Sequence, residues 1–429
     1  MKSPPRLFSF SLALFLLFNP FVLARKPPAK SEVGTIPSIG PTDTNLAPLD
    51  RLMTTFIKDH HAPGAALAVA RHGRQVYARG FGLAVKEKKE PVDPHALFRI
   101  ASISKPITAV TILQLVERKK LKLDDTVYGL LKLEPFEHPD IKFDPRWKQI
   151  TVLQLLHHSG GFDSEKSFDP MFQGVRIAKA FGTEPPAGAP AIIRYMMGLP
   201  LDFDPGKRYA YSNFGYCLLG RVIEKASGQS YEDYVCKEVL APLGIHSMRL
   251  GKTLPVDRAK GEVTYYEEQN RTGPSAFRSK RGQPVPLPYG AWNLEAMDSH
   301  GGWIASAPDM VRFAAAFANP ERCKILKPRS IAIMFACPEG PAGLNKKGKP
   351  LASYYACGWQ VRPGKPEPTY WHSGALDGTS ALLVHRHDGF TWAVLFNSGT
   401  DLQDRDLADE IDPLVHEAVD AVKKWPEMK

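Results

Sequence analysis

Phe98-Arg-Ile-Ala-Ser102-Ile-Ser104-Lys105, running into the apolar stretch from Pro106 to Lys120, decides the reading of this chain. Apolar residues recur there at helical spacing. With the helix opening near Ser102, Ser102 and Lys105 stand three residues apart on one face, so a hydroxyl and an amine can meet. A serine hydroxyl is a weak nucleophile until a base takes its proton. A lysine can be that base only after losing its own proton, which burial and a neighbouring cation favour. The start of the helix adds backbone N–H groups and the positive end of the dipole, where an oxyanion is stabilised. Pro106 is compatible with this because it falls in the first turn. The same Ser-x-x-Lys spacing also occurs on solvated helices, so the rest of the sequence has to decide.

Outward from this helix, both ends of the chain read as strands. Leu46 to His60 has Leu49, Leu52, Met53 and Phe56 on one helical face. Gly64 to Ala70 and Gln75 to Val85, separated by His72-Gly73, read as a β-hairpin. Strands return at Tyr355–Arg362, Thr369–His372, Ser380–His387 and Thr391–Asn397, with Asp388-Gly389 as a two-residue turn between the last two. Asp401 to Trp425 closes as an amphipathic helix with Leu407, Ile411, Leu414, Val415 and Val419 in its apolar stripe. This is an α+β plan, with an antiparallel sheet lobe from about 46–98 and 300–425 and a helical lobe over about 99–299. Residues 258–286, with Arg271, Arg278, Lys280 and Arg281, read as an exposed basic loop.

Composition sets the outer limits. The 429 residues are 43% hydrophobic and 23% charged, ordinary globular usage that excludes a disordered chain, a collagen-like fibre and a polytopic membrane protein. Residues 1–24 read as a signal peptide, with an uncleaved anchor as the alternative: Lys2 and Arg6, an apolar Leu7–Phe18, the breaker Asn19-Pro20, and Val22-Leu23-Ala24 as a cleavage pattern. Residues 25–45 read as a flexible leader rich in Pro, Ser, Thr and Lys, and 46–425 as the catalytic domain. The mature chain is expected to be exported, periplasmic or secreted, with no further membrane span. The net charge of +10 is compatible with a soluble basic surface or with an anionic polymer such as a cell wall. No Lys/Arg run interleaved with aromatics marks a nucleic-acid footprint. Among Cys217, Cys236, Cys323, Cys337 and Cys357, the pair Cys323–Cys337 is close enough in sequence to bridge, and an odd count leaves at least one thiol free. No Cys/His spacing fits a metal site, and the neighbours His60-His61 and His157-His158 are poorly placed to share one.

Two further motifs follow the first. In Tyr211-Ser212-Asn213, ahead of the apolar run Phe214–Ile223, a phenol that can shuttle a proton and a carboxamide that can orient a carbonyl stand two apart. In His372-Ser373-Gly374-Ala375, at the end of a strand, glycine lets a substrate approach the backbone. Together the three motifs resemble the serine β-lactamase and penicillin-binding-protein superfamily, in particular its class C-like branch of β-lactamase-related hydrolases and esterases. The resemblance spans about residues 46–425. It includes Leu123-Asp124-Asp125, Ile150 to Gly161, Gly301-Gly302 and Ser306-Ala-Pro-Asp309.

The resemblance implies a sheet lobe and an all-helical lobe with the site between them, and no cofactor or metal. It implies Ser102 as the acylated nucleophile, Lys105 and Tyr211 sharing proton transfer, and Asn213 holding Lys105 and the substrate's acyl-side amide. The backbone N–H groups of Ser102 and Ala375 would form the oxyanion hole, with His372, Ser373 and Gly374 along the substrate. Penicillin-recognising members carry Lys in the third motif where this chain has His372, and a histidine is mostly neutral near pH 7. The expected partner is therefore a small-molecule ester, amide or D-amino-acid peptide. A β-lactamase or D-alanyl-D-alanine carboxypeptidase is the alternative enzyme, and a peptidoglycan- or penicillin-binding module the alternative without catalysis.

Overall fold

Gly64-Ala-Ala-Leu-Ala-Val-Ala70 alternates alanine with larger apolar residues, and a strand sends successive side chains to opposite faces. In the computed structural model, which describes residues 36–426 apart from 268, 278, 279, 346 and 366, this segment lies near the middle of a nine-stranded antiparallel sheet. Its strands are β1 (Ser38–Ile39), β2 (Gly64–Arg71), β3 (Arg74–Val85), β4 (Tyr354–Tyr355), β5 (Gln360–Arg362), β6 (Thr369–Leu376), β7 (Thr379–His385) and β8 (Phe390–Phe396), with Glu90–Pro91 beside β3. Their order is β1-β3-β2-β8-β7-β6-β5-β4, so the two chain ends meet at β2 and β8, where Leu67 faces Val394 and Ala66 faces Leu395. Leu67, Val69, Trp392 and Val394 pack with helices α1 (Ala47–Asp59) and α4 (Leu407–Ala421). The alanines 66, 68 and 70 line the opposite face, and their small size lets the helix Ala307–Ala315 sit close to the sheet. Each large side chain fully buried there contributes about 1.5–3 kcal/mol relative to exposure.

The Ser-x-x-Lys segment forms α2 (Ser104–Glu117), in which every residue from Ser104 to Leu115 is buried. It packs against α3 (Asn213–Ser227) and the short helix Asp298–Gly301. A helix enclosed on all sides needs no polar stripe, and its buried Thr108, Thr111 and Gln114 side chains find hydrogen-bond partners inside the protein. Among the described residues no helix is long and apolar enough to cross a membrane.

Several boundaries differ from the sequence reading. The signal segment 1–24, the first part of the leader through residue 35, and Arg278 lie outside the described residues. The end of the leader is folded: Ser38 and Ile39 pair with Phe81 and Gly80 of β3. His72 and Gly73 both have positive φ (48° and 79°), the geometry of a tight hairpin turn. Asp388-Gly389 is not a two-residue turn: Gly389 N–H closes back on Arg386 O at 2.9 Å, and the strands end at His385 and restart at Phe390. Within 258–286, Val263, Tyr265, Ala276 and Val285 are buried and two short strands pair, so the segment is only partly an exposed loop. The closing helix covers Leu407–Ala421, shorter than expected, with Asp406 as its cap. Cys323 and Cys337 are free thiols.

Candidate active site

Ser102 does not open α2. It sits in a 3-10 turn, Ala101–Ile103, immediately before the helix. Ala101 holds φ at +45°, a left-handed conformation that costs a non-glycine residue about 1–3 kcal/mol. What holds it there is β6. That strand continues through His372-Ser373-Gly374-Ala375 to Leu376, past the His372 end expected from sequence. Beyond Trp371 it no longer pairs with β5, leaving that edge to the turn. A Cβ on Gly374 would lie 2.2 Å from Ile100 O and 3.1 Å from Ser102 N. Glycine here is a requirement of backbone contact between strand and turn, and it brings the Ser102 amide beside the residue preceding Ala375.

One turn on, Lys105 is fully buried and its Nζ meets three oxygens: Ser102 Oγ at 3.0 Å, Asn213 Oδ1 at 2.8 Å and His300 O at 3.1 Å. The rings of Tyr211 and Tyr216 flank it, at 4.6 and 5.9 Å from Nζ to centroid. Burial lowers the Lys105 ammonium to about 7, opposed by the Asp169 carboxylate. The contact set has a chemical consequence. An ammonium donates to all three oxygens. A neutral amine has two N–H groups and one lone pair, and Asn213 Oδ1 and His300 O can only accept. Ser102 is then the only partner able to donate to the lone pair.

Tyr211 and Asn213 come from the approach to α3. Ser212 caps the helix, accepting from Gly215 N at 3.1 Å, which places Asn213 at the first helical position. His158 brackets Tyr211 from both sides: its carbonyl accepts from Ala210 N (2.8 Å), its Nδ1 accepts from Ser212 N (3.1 Å), and its ring lies 4.3 Å from the Tyr211 ring. Burial pushes the Tyr211 phenol well above the ordinary range, so it stays protonated as a donor. Asn213 Nδ2 donates to Asp169 Oδ2 at 2.7 Å. The first two motifs thus converge on one hydrogen-bonded cluster.

The third motif is placed differently from expectation. Ser373 and Ala375 are exposed along the open edge of β6, but His372 is buried. Its Nδ1 lies 2.5 Å from Ser373 O, an acceptor, so Nδ1 carries the proton, and Nε2 accepts from Tyr355 Oη at 3.0 Å. Burial and the Lys105 charge lower its pKa to about 3. Both nitrogens are spent inside the protein, so the side chain assigned to the substrate instead supports the strand that carries Ser373 to Ala375.

Sequence reasoning missed Asp169, Tyr355, the His300 carbonyl and the clamp at His158. Phe168-Asp169-Pro170 carries only a capping signal, and Asp169 does cap the turn Pro170–Phe172. Nothing local ties it to Asn213, 44 residues away. In the sequence His158 stands out only as half of a histidine pair. Among the described residues no group of His, Cys, Asp and Glu could hold a metal ion.

The Beta-lactamase family model matches residues 49–417. Penicillin-binding protein 4 of Amycolatopsis lactamdurans is 27% identical over 357 residues, 80% of this chain and 82% of that protein. Esterase EstB of Burkholderia gladioli is 30% identical over 285 residues, 65% of this chain and 67% of the esterase. The octameric penicillin-binding protein homologue of Pyrococcus abyssi superposes with a TM-score of 0.65 at 26% identity, covering 87% of this chain and 77% of that one.

Proposed function

Because the chain belongs to the Beta-lactamase family and is a serine hydrolase of that fold, we propose that it is exported and cleaves an ester or amide through an acyl-enzyme on Ser102. The observation that carries the reading is the Lys105 contact set, which leaves the neutral amine's lone pair to Ser102 alone. In acylation Lys105 takes the Ser102 proton as Oγ bonds to the substrate carbonyl carbon. The carbonyl oxygen carries the negative charge towards the backbone N–H groups of Ser102 and Ala375. Collapse breaks the bond to the leaving alkoxide or amine, which receives the proton from Lys105 through Tyr211. Water then attacks the acyl-enzyme by the reverse route, giving the carboxylic acid and free Ser102. Export rests on residues 1–24 alone.

The same acyl-enzyme serves esters, D-amino-acid peptides and β-lactams, and His372 favours the uncharged substrates. Neutral, buried and doubly bonded, it supplies no cation for a substrate carboxylate. Losing such a charge-assisted contact costs about 1.5–3 kcal/mol, or roughly 10–150-fold in rate. Short-chain aryl esters should therefore show higher kcat/KM than penicillins and cephalosporins. A steady-state panel checks this, and faster turnover of a cephalosporin would reverse the assignment in favour of a β-lactamase.

A further inference from the structure

We propose that Asp169 is a positioning residue that aims the Lys105 lone pair at Ser102 by locking the Asn213 amide in one of its two orientations; this rests on the acyl-enzyme reading above. The Asn213 side chain can meet Lys105 with Oδ1 or, turned over, with Nδ2. With Oδ1 inward it accepts one N–H of the neutral amine and leaves the lone pair free. With Nδ2 inward it donates to that lone pair, and Ser102 loses its base. The two orientations fill the same volume, so packing does not choose between them.

Asp169 chooses. A carboxylate only accepts, so it holds Nδ2 towards itself, at 2.7 Å, and Oδ1 towards Lys105, at 2.8 Å. Asp169 is itself pinned, because its Oδ1 takes the Met171 N–H at 3.0 Å as cap of the turn that starts at Pro170. With one Nδ2 hydrogen given to Asp169 and Oδ1 given to Lys105, Asn213 has one N–H left for a substrate. That N–H can recognise an acyl-side carbonyl.

The arrangement also sets the charge around the base. The titratable side chains facing Lys105 are Asp169, Tyr211, Tyr216, His158, His300 and His372. The phenols are pushed up and the imidazoles down by burial, so both kinds are neutral through the working range. The Asp169 carboxylate alone among them raises Lys105 against burial. Removing its charge should let the lysine lose its proton at lower pH.

The test compares wild type with Asp169→Asn and Asp169→Leu, using pH profiles of aryl-ester hydrolysis. Asp169→Asn removes the charge but keeps one acceptor, and should move the acid limb of kcat/KM to lower pH. Asp169→Leu removes the lock, and should lower kcat by about 10²-fold, with KM changed far less. A purely structural residue would not move the acid limb in that direction. If the Leu variant does not fold, as judged by a circular-dichroism melt, the limb of the Asn variant decides alone. An unmoved limb in Asp169→Asn, or a folded Leu variant with wild-type kcat, overturns the assignment while wild-type turnover leaves the acyl-enzyme reading standing. A wild type that hydrolyses no ester ends that reading, and this role with it.

Discussion

At Lys105, burial turns an ordinary cation into a base, and three fixed oxygens leave its lone pair to Ser102. Its ammonium is lowered to about 7, so kcat/KM should rise with pH through that value and level off above it. The same shift works against folding. The cost is full below about 7; between there and the ordinary lysine value of 10.5 the unfolded chain binds a proton that the folded chain does not, so the cost shrinks as pH rises. Lys105→Arg keeps a cation and removes the base, since a guanidinium does not deprotonate at working pH. Ester hydrolysis should fall by about 10³-fold, as for removal of a member of a Ser–base unit. A pH–rate series on both proteins checks this, and near-wild-type rates in the Arg variant would move the base role to Tyr211. The pairing of Ser102 with Lys105 was legible because the two stand three residues apart, a spacing that the 3-10 turn and the helix after it bring onto one side. Asp169 was not, because its contact with Asn213 exists only after folding.

At the scale of elements, the site depends on β6 pressing against the Ala101–Ile103 turn. Gly374 was read as a point of substrate approach, but its tightest neighbour is the protein's own Ile100 carbonyl. β6 runs on past His372 because Ser373 to Leu376 go on pairing with β7. A methyl group at 374 would collide with backbone, which cannot yield as a flexible side chain does. Gly374→Ala should therefore push the strand off the turn, costing about 1–3 kcal/mol of stability and about 10²-fold in kcat. Denaturant melts together with ester kinetics test this, and an Ala variant with unchanged midpoint and rate would show that the contact is slack. His158 shows the complementary limit of sequence reading. Its neighbour relation to His157 was visible, whereas its grip on Ala210 and Ser212 joins segments 52 and 54 residues apart, which no local pattern reports.

For the molecule as a whole, the antiparallel sheet built from both chain ends followed from the strand runs and turn signals in Gly64–Val85 and in Tyr355–Asn397, which are local. Turn details did not follow, because Asp388-Gly389 fits both a two-residue loop and the longer turn that forms. Nor did the mixture of buried and exposed residues in 258–286, where charged side chains flank buried Tyr265, whose phenol accepts from Arg99 N. The three motifs lie more than a hundred residues apart in sequence. The family resemblance joined them, and folding gathers them around one serine. The central claim is that this serine becomes covalently acylated. Intact-protein mass spectrometry after brief exposure to an aryl fluorophosphonate tests it most directly. Wild type should gain a single adduct, mapped to Ser102 by peptide digestion, and Ser102→Ala should gain none. No adduct on folded wild type, or an equal adduct on Ser102→Ala, would contradict the account.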